Sequence, residues 1–163
     1  MQFKRVLLVT SLVIFSILPI AVVNGATVIE NNDVVVTISI QNAFYYAAHE
    51  DGIENDIAVD FTLDIHRTTQ RNNPVHFDLC VQLTLPSGLS YLYLFKVTSS
   101  AHVYAQPTAY FDNHATESGW YCVELTGVLA KGSCITSIGT ESYLFDPPGG
   151  TEGTDPLTCK ISV

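Results

Sequence analysis

The sequence predicts an all-β domain, a two-sheet antiparallel β-sandwich of about eight strands. Apolar and polar residues alternate with a period of two along most of the chain, which is the spacing of a strand with one buried face. Residues that favour turns separate these runs at short intervals, and no segment repeats its apolar positions at helical spacing over the length of a helix. A closed barrel is the alternative arrangement of the same strands.

The start of the chain has the features of a secretory leader. Lys4 and Arg5 precede an apolar run over 6–23, and small residues follow at Gly25 and Ala26. This order is typical of a signal peptide that is removed during export, here most readily after Gly25 and alternatively one residue later. Retention as a membrane anchor is the other possibility, but the run is short for a span. The sequence thus predicts a secreted protein with a signal peptide over 1–25 and one β-sandwich domain over 26–163.

The charge balance narrows the classes of partner. Lys4 and Arg5 are two of the seven basic residues, so 26–163 carries five basic against 16 acidic residues, a net charge of −11 with neutral histidines. Nucleic acid and anionic membrane surfaces would repel such a chain and are not expected as partners. Divalent cations, basic proteins and neutral sugars stay open. No other segment approaches the length of a membrane span, so none is expected in the mature chain.

Three runs alternate most regularly and are predicted to be strands, at 33–40, 56–66 and 75–85. In each of them one face is apolar and the other is mostly polar, so one face is predicted to be core and the other solvated. Further strands are predicted at 89–98, 103–111, 119–129, 133–145 and 157–163. Pro107 indicates an edge strand or a bulge within its run, because proline cannot donate to a central ladder.

The run from Glu117 to Leu125, which reads ESGWYCVEL, is similar to the G-x-Y-x-V-x-V late strand of immunoglobulin-like and fibronectin-type-III-like extracellular domains. In those domains a turn, a glycine and an aromatic residue open the strand. The resemblance covers about a dozen residues and implies an immunoglobulin-like sandwich. Domains of this class have adhesion, receptor, carbohydrate-binding and spacer roles, so the resemblance implies a fold rather than one function.

A second resemblance concerns the acidic segment 49–56, which reads HEDGIEND. It resembles the D-x-D-x-D-G-x-x-D loops of thrombospondin-type-3 and dockerin-like repeats, in which alternate carboxylates wrap a calcium ion. The resemblance implies calcium as a cofactor, held by Asp51, Asn55 and Asp56 with the weak affinity of ~0.1 to 1 mM that extracellular modules show. The alternative is a solvated acidic turn before the strand at 56–66.

A second metal site is predicted where the two clearest strands would meet. Residues two apart in a strand share a face. Asp64 and His66 therefore lie together on the polar side of one strand, and His76 and Asp78 lie together on the polar side of the next. If these strands form a hairpin, the four side chains project together, and such a mixture of carboxylate and imidazole ligands suits Zn²⁺. The alternative is an exposed ladder of cross-strand pairs without metal.

Aromatic residues provide a candidate binding surface. Tyr91, Tyr93 and Phe95 share one face of their predicted strand, while Leu92 and Leu94 share the other. Whichever face is outward exposes apolar surface, which could bind a protein or a carbohydrate partner. The alternative is that both faces are buried.

The four cysteines predict two disulfides, because an even number in an exported chain is typical of a disulfide framework. Three connectivities are possible. Cys80 and Cys122 both occupy outward positions of their strands, which favours a bridge between them and leaves Cys134 to pair with Cys159.

No catalytic motif is present in the sequence: it contains no nucleophile elbow, no phosphate-binding loop and no H-E-x-x-H zinc motif. The sequence therefore predicts no catalytic residues and a non-catalytic module with a binding or structural role, at the cell surface or outside the cell. The alternative is a secreted hydrolase-type enzyme or enzyme accessory domain, whose site lies on loops and in one version depends on a metal.

Overall fold

The computed structural model describes residues 2–7, 27–31, 34–47, 53–67, 69, 73–100, 102–131, 134–146 and 156–163. These residues form eleven strands and no helix, which confirms the predicted all-β class. The strands are β1 (Gln2–Leu7), β2 (Thr27–Asn31), β3 (Val34–Tyr46), β4 (Asp56–Arg67), β5 (Val75–Thr84), β6 (Ser90–Ser99), β7 (His102–Ala105), β8 (Thr108–Asp112), β9 (Tyr121–Lys131), β10 (Cys134–Phe145) and β11 (Thr158–Ser162).

The strands form two antiparallel sheets, as the sequence predicts. Sheet A has the order β1-β6-β5-β9-β10, and sheet B has the order β11-β8-β4-β3-β2 with β7 also paired to β4. Three features raise the strand number above the predicted one. β1 and β2 were not expected, and the run at 103–111 divides into β7 and β8 around Pro107, which lies in neither strand.

The core lies between the sheets and follows the alternation of the sequence. The inward side chains of the two best-predicted strands are almost completely buried: Ile57, Val59, Phe61, Leu63 and Ile65 in β4, and Val75, Phe77, Leu79, Val81 and Leu83 in β5. Burying a side chain of this size stabilises the fold by about 1.5 to 3 kcal/mol. The predicted inward faces of these two strands are therefore correct.

A β-bulge in β3 changes which residues of that strand face outward. The pairing of β3 with β4 shifts between Ile40 and Asn42, so that Gln41 is the extra residue. Ile40 is buried before the bulge and Ala43 after it, so the inward positions change from even to odd numbers. The strand therefore continues beyond the predicted end at residue 40. After the bulge its even-numbered residues, Phe44 and Tyr46 among them, lie on the outer face.

A tyrosine at the start of β9 anchors the turn before it. Tyr121 is completely buried. Its hydroxyl accepts a hydrogen bond from the Glu117 N–H at 2.8 Å and donates one to the Glu117 carbonyl at 2.8 Å. Gly119, between them, has a φ of 125°, which an L side chain rarely adopts. Immunoglobulin-like sandwiches have the same kind of tyrosine corner, so this contact is compatible with the predicted resemblance.

Candidate functional site

Three aromatic rings lie on the outer face of sheet B and are called the aromatic face here: Phe44, Tyr46 and Tyr110. Phe44 of β3 and Tyr110 of β8 are both opposite Ala58 of β4, one on each side. Phe44 is 40% exposed, whereas Ala58 is 1% exposed because its methyl group forms the floor between larger neighbours. The Tyr46 and Tyr110 rings meet edge to face at 5.7 Å between centroids. The result is a broad apolar surface on an open sheet.

Polar groups surround this apolar surface. Lys160 Nζ lies 5.6 Å from the centroid of the Tyr110 ring and 3.3 Å from Asp112 Oδ2. On the next row, the Thr108 hydroxyl donates to Asp60 Oδ1 at 2.7 Å. A ligand bound on the rings would therefore have the Lys160 ammonium, the Thr108 hydroxyl and the carboxylates of Asp60 and Asp112 beside it.

The Tyr46 hydroxyl is a hydrogen-bond donor at every physiological pH. Burial raises the pKa of Tyr46 most, and the nearby carboxylates of Asp112 and Asp56 raise it further. Both effects disfavour the phenolate. The Tyr46 hydroxyl therefore keeps its proton at the edge of the aromatic face that is nearest to the carboxylates of Asp56 and Asp112.

A buried polar network lies beside the aromatic face and is called the polar latch here: Asn55, Asp56 and Asn113. The Asn113 N–H donates to Asp56 Oδ1 at 2.7 Å. Asn55 Nδ2 donates to Asn113 Oδ1 at 2.9 Å. Asn113 has a φ of 62°, a left-handed conformation that asparagine tolerates better than most residues. The latch joins the segment before β4 to the end of β8.

His114 follows the latch and is completely enclosed. Its Nδ1 is 2.7 Å from the Asp112 carbonyl oxygen, which can only accept, so Nδ1 carries the proton. Its Nε2 is 2.7 Å from the Tyr93 hydroxyl, which then donates. Burial lowers the pKa of His114 to about 4, although its contacts with Asp112 and the charge of Asp56 oppose this shift. The imidazole is therefore neutral at neutral pH and forms part of the core.

The predicted four-residue zinc site is wrong. Asp64 and His66 lie on the outer face of sheet B, whereas His76 and Asp78 lie on the outer face of sheet A. The connection between β4 and β5 crosses from one sheet to the other instead of making a hairpin, and β5 pairs with β6 and β9. Within the described ranges, no three His, Cys, Asp or Glu side chains are grouped so that they could hold a metal ion.

The structure bears on only part of the predicted calcium loop. Asp51 lies outside the described residues. Asn55 and Asp56 are 1% and 0% exposed and belong to the polar latch, so neither is in the solvated turn that was the alternative. Calcium binding by this segment stays a prediction.

The predicted aromatic stripe of β6 is wrong as an exposed surface. Tyr93 and Phe95 are 4% and 2% exposed, because they lie opposite core residues of β5. Tyr91 is half-buried, with its ring 4.8 Å from His114. Leu92 and Leu94 are on the outer face instead.

The predicted disulfide between Cys80 and Cys122 is also wrong. The residues lie on the neighbouring strands β5 and β9, but Cys80 is opposite Thr126 and Cys122 is opposite Thr84. This offset of four residues separates the Cα atoms by about 13 Å along the strand direction alone, well beyond the ~7 Å that a disulfide can bridge. Both thiols are free, and burial raises the pKa of each, to about 11 for Cys122.

The second predicted pairing fails because its strands lie at opposite edges of the sandwich. Cys134 begins β10, the edge strand of sheet A that packs beside β2 and β3. Cys159 is buried in β11, at the edge of sheet B farthest from β2. No disulfide joins the cysteine side chains that the structure describes.

The sequence contains a signal for the aromatic face that lies beyond the strand predicted at 33–40. In 42–46, which reads NAFYY, Phe44 and Tyr46 alternate with Ala43 and Tyr45, and this alternation extends the strand predicted at 33–40. The bulge at Gln41 hid the continuation, because it breaks the period of two.

No helix among the described residues has the length and hydropathy needed to cross a membrane.

The chain was compared with protein families, with curated proteins and with solved structures. No protein-family model, no curated protein and no solved structure matches the chain.

Proposed function

We propose that this chain is an exported, non-catalytic β-sandwich module that binds carbohydrate through its aromatic face. The observation that carries the proposal is the placement of Phe44, Tyr46 and Tyr110 on the outer face of sheet B, around the floor formed by Ala58. Export rests on the leader-like segment 1–25, whose removal leaves the sandwich as the acting part.

The chemistry of a sugar matches this surface. A pyranose ring has a flat side of C–H groups and a rim of hydroxyls, and aromatic side chains bury such apolar surface while their own polar tips reach the rim. Asp60, Thr108 and Lys160 supply acceptors and donors around the rings. The net charge of the exported part opposes acidic polysaccharides, so an uncharged saccharide is the favoured ligand.

The test is glycan binding by protein recovered from the medium of secreting cells. An array of neutral oligosaccharides should identify a ligand, and Phe44→Ala or Tyr110→Ala should weaken its binding about tenfold or more, which corresponds to about 1.4 kcal/mol per ring. Tyr104→Ala is the matched control, because Tyr104 is 65% exposed on the same sheet but is opposite Asp64, about 20 Å along β4 from Ala58. The control should bind normally.

Several outcomes would contradict the proposal. If the wild-type protein binds no neutral saccharide, the proposed class of ligand is wrong. If Tyr104→Ala loses as much affinity as Phe44→Ala or Tyr110→Ala, the aromatic face is not the binding surface. Release of shorter products from a bound saccharide would show the hydrolase alternative instead. The intact mass of the secreted protein tests export separately, because it shows whether residues 1–25 have been removed.

A further inference from the structure

The edge of sheet A beside β6 is closed by residues of the proposed signal peptide. β1 pairs antiparallel with β6, from Gln2 opposite Thr98 to Leu7 opposite Tyr93. β1 lies entirely within 1–25. If this segment is removed during export, β6 becomes the edge strand of sheet A, and the backbone groups that faced β1 lose their partners.

The strand that this removal would expose is unusually regular. β6 pairs with β5 over ten consecutive residue pairs without a register shift. Other edges are interrupted or short: β10 has a shift between Ser137 and Thr140, and β2 and β11 have five residues each. Natural sandwiches protect their edges with such bulges, short strands, prolines and charges. β6 contains no proline and one charge, Lys96.

The surface around this edge is neutral in an acidic protein. Lys96 lies opposite Asp78 on the outer face of sheet A. The other outward residues of β6 are uncharged: Ser90, Leu92, Leu94 and Thr98. Two chains of strong negative charge can therefore approach each other through β6 at a low electrostatic cost, which physiological salt reduces further.

The sequence of β6 is suited to pairing with itself. An antiparallel two-fold pair with Leu94 opposite its own copy sets Tyr93 opposite Phe95, which extends the apolar inner face of the sheet. On the outer face it sets Leu92 opposite Lys96, so no two charges meet.

We propose that removal of the leader opens the β6 edge and that two mature chains pair through it, strand against strand, into one continuous antiparallel sheet. Each chain would contribute the four strands of sheet A that remain, β6, β5, β9 and β10. The inference rests on the proposed export, because the pairing needs the edge that β1 otherwise occupies. It does not involve the aromatic face, which lies on the other sheet.

The test uses the full chain expressed in a secreting host and purified from the medium. Its intact mass shows whether the leader has been removed, and light scattering during size exclusion gives the molecular mass of the assembly. The wild-type protein should be a dimer at micromolar concentration. Leu92→Lys combined with Leu94→Lys should weaken the dimer at least tenfold, because charges on an edge oppose strand addition.

Leu144→Lys is the matched control, because Leu144 is half-buried on β10, at the opposite edge of sheet A. It should remain a dimer. Hydrogen exchange gives a second readout: the alternate amides of 93–98 that point away from β5 should be protected in the wild-type dimer and lose protection in the double variant. The amides that β5 and β6 bond to each other should keep their protection, which shows that the domain is folded. A monomeric wild-type protein without residues 1–25, or a double variant that dimerises normally, would overturn the pairing alone. A secreted chain that retains 1–25 would show that the leader is not removed, and would overturn the opening of the β6 edge together with the predicted cleavage.

Discussion

The free energy of unfolding is expected to fall by about 2 kcal/mol between pH 7 and pH 5 because of His114 alone. Burial lowers the pKa of this imidazole to about 4 in the folded protein. In the unfolded chain its pKa returns to about 6.5. Between these two pKa values the unfolded state binds a proton that the folded state does not. The contribution of the neutral His114 to the free energy of unfolding is therefore fully present above pH 6.5 and is lost as the pH falls towards 4.

Urea denaturation at pH 7, 6 and 5 measures this effect. His114→Gln should be less stable at pH 7 and should lack most of the pH dependence, whereas His76→Gln changes an exposed histidine and should keep it. Titration of the His114 ring by NMR in the wild-type protein is independent of any variant. A ring that titrates near 6.5 would contradict the buried neutral imidazole.

Replacement of Phe111 by alanine should reduce the free energy of unfolding by about 3 to 5 kcal/mol. Phe111 is completely buried, and its ring lies 5.5 Å from the His114 ring and 6.0 Å from the Tyr93 ring. Its removal leaves a cavity at the point where the two sheets and the buried histidine meet. The loss should appear as a lower urea midpoint or as failure to fold.

Phe44→Ala is the matched comparison, because it removes the same side chain from an exposed position on the aromatic face. It should change the free energy of unfolding by less than about 1 kcal/mol. This result would also show that its expected loss of carbohydrate binding does not come from unfolding. Equal destabilisation by the two substitutions would contradict the assignment of inner and outer faces.

The sequence predicts the faces of the strands better than it predicts their neighbours. Alternation in 56–66 and 75–85 identifies the buried residues of β4 and β5, because the period of two is a local property of each strand. Whether two successive strands form a hairpin or enter different sheets depends on the path of the chain between them. The zinc prediction joined β4 to β5 and failed for this reason.

The cysteine prediction failed at the level of register. The outward position of Cys80 and Cys122 on neighbouring strands of one sheet was correct, yet they are four residues out of register. Register is set by long-range pairing and is not visible in either strand alone. The aromatic face was missed for a related reason, since the bulge at Gln41 changes the phase of β3 just before Phe44.

A titration of the isotope-labelled secreted protein with the saccharide selected by the array, followed by amide NMR shifts, shows directly whether carbohydrate binds at the aromatic face. If the aromatic face is the binding surface, the largest shifts should fall on Phe44, Ala58 and Tyr110. Shifts that fall on Leu92 or around Trp120, which is 63% exposed just before β9 of the other sheet, would contradict carbohydrate binding at the aromatic face.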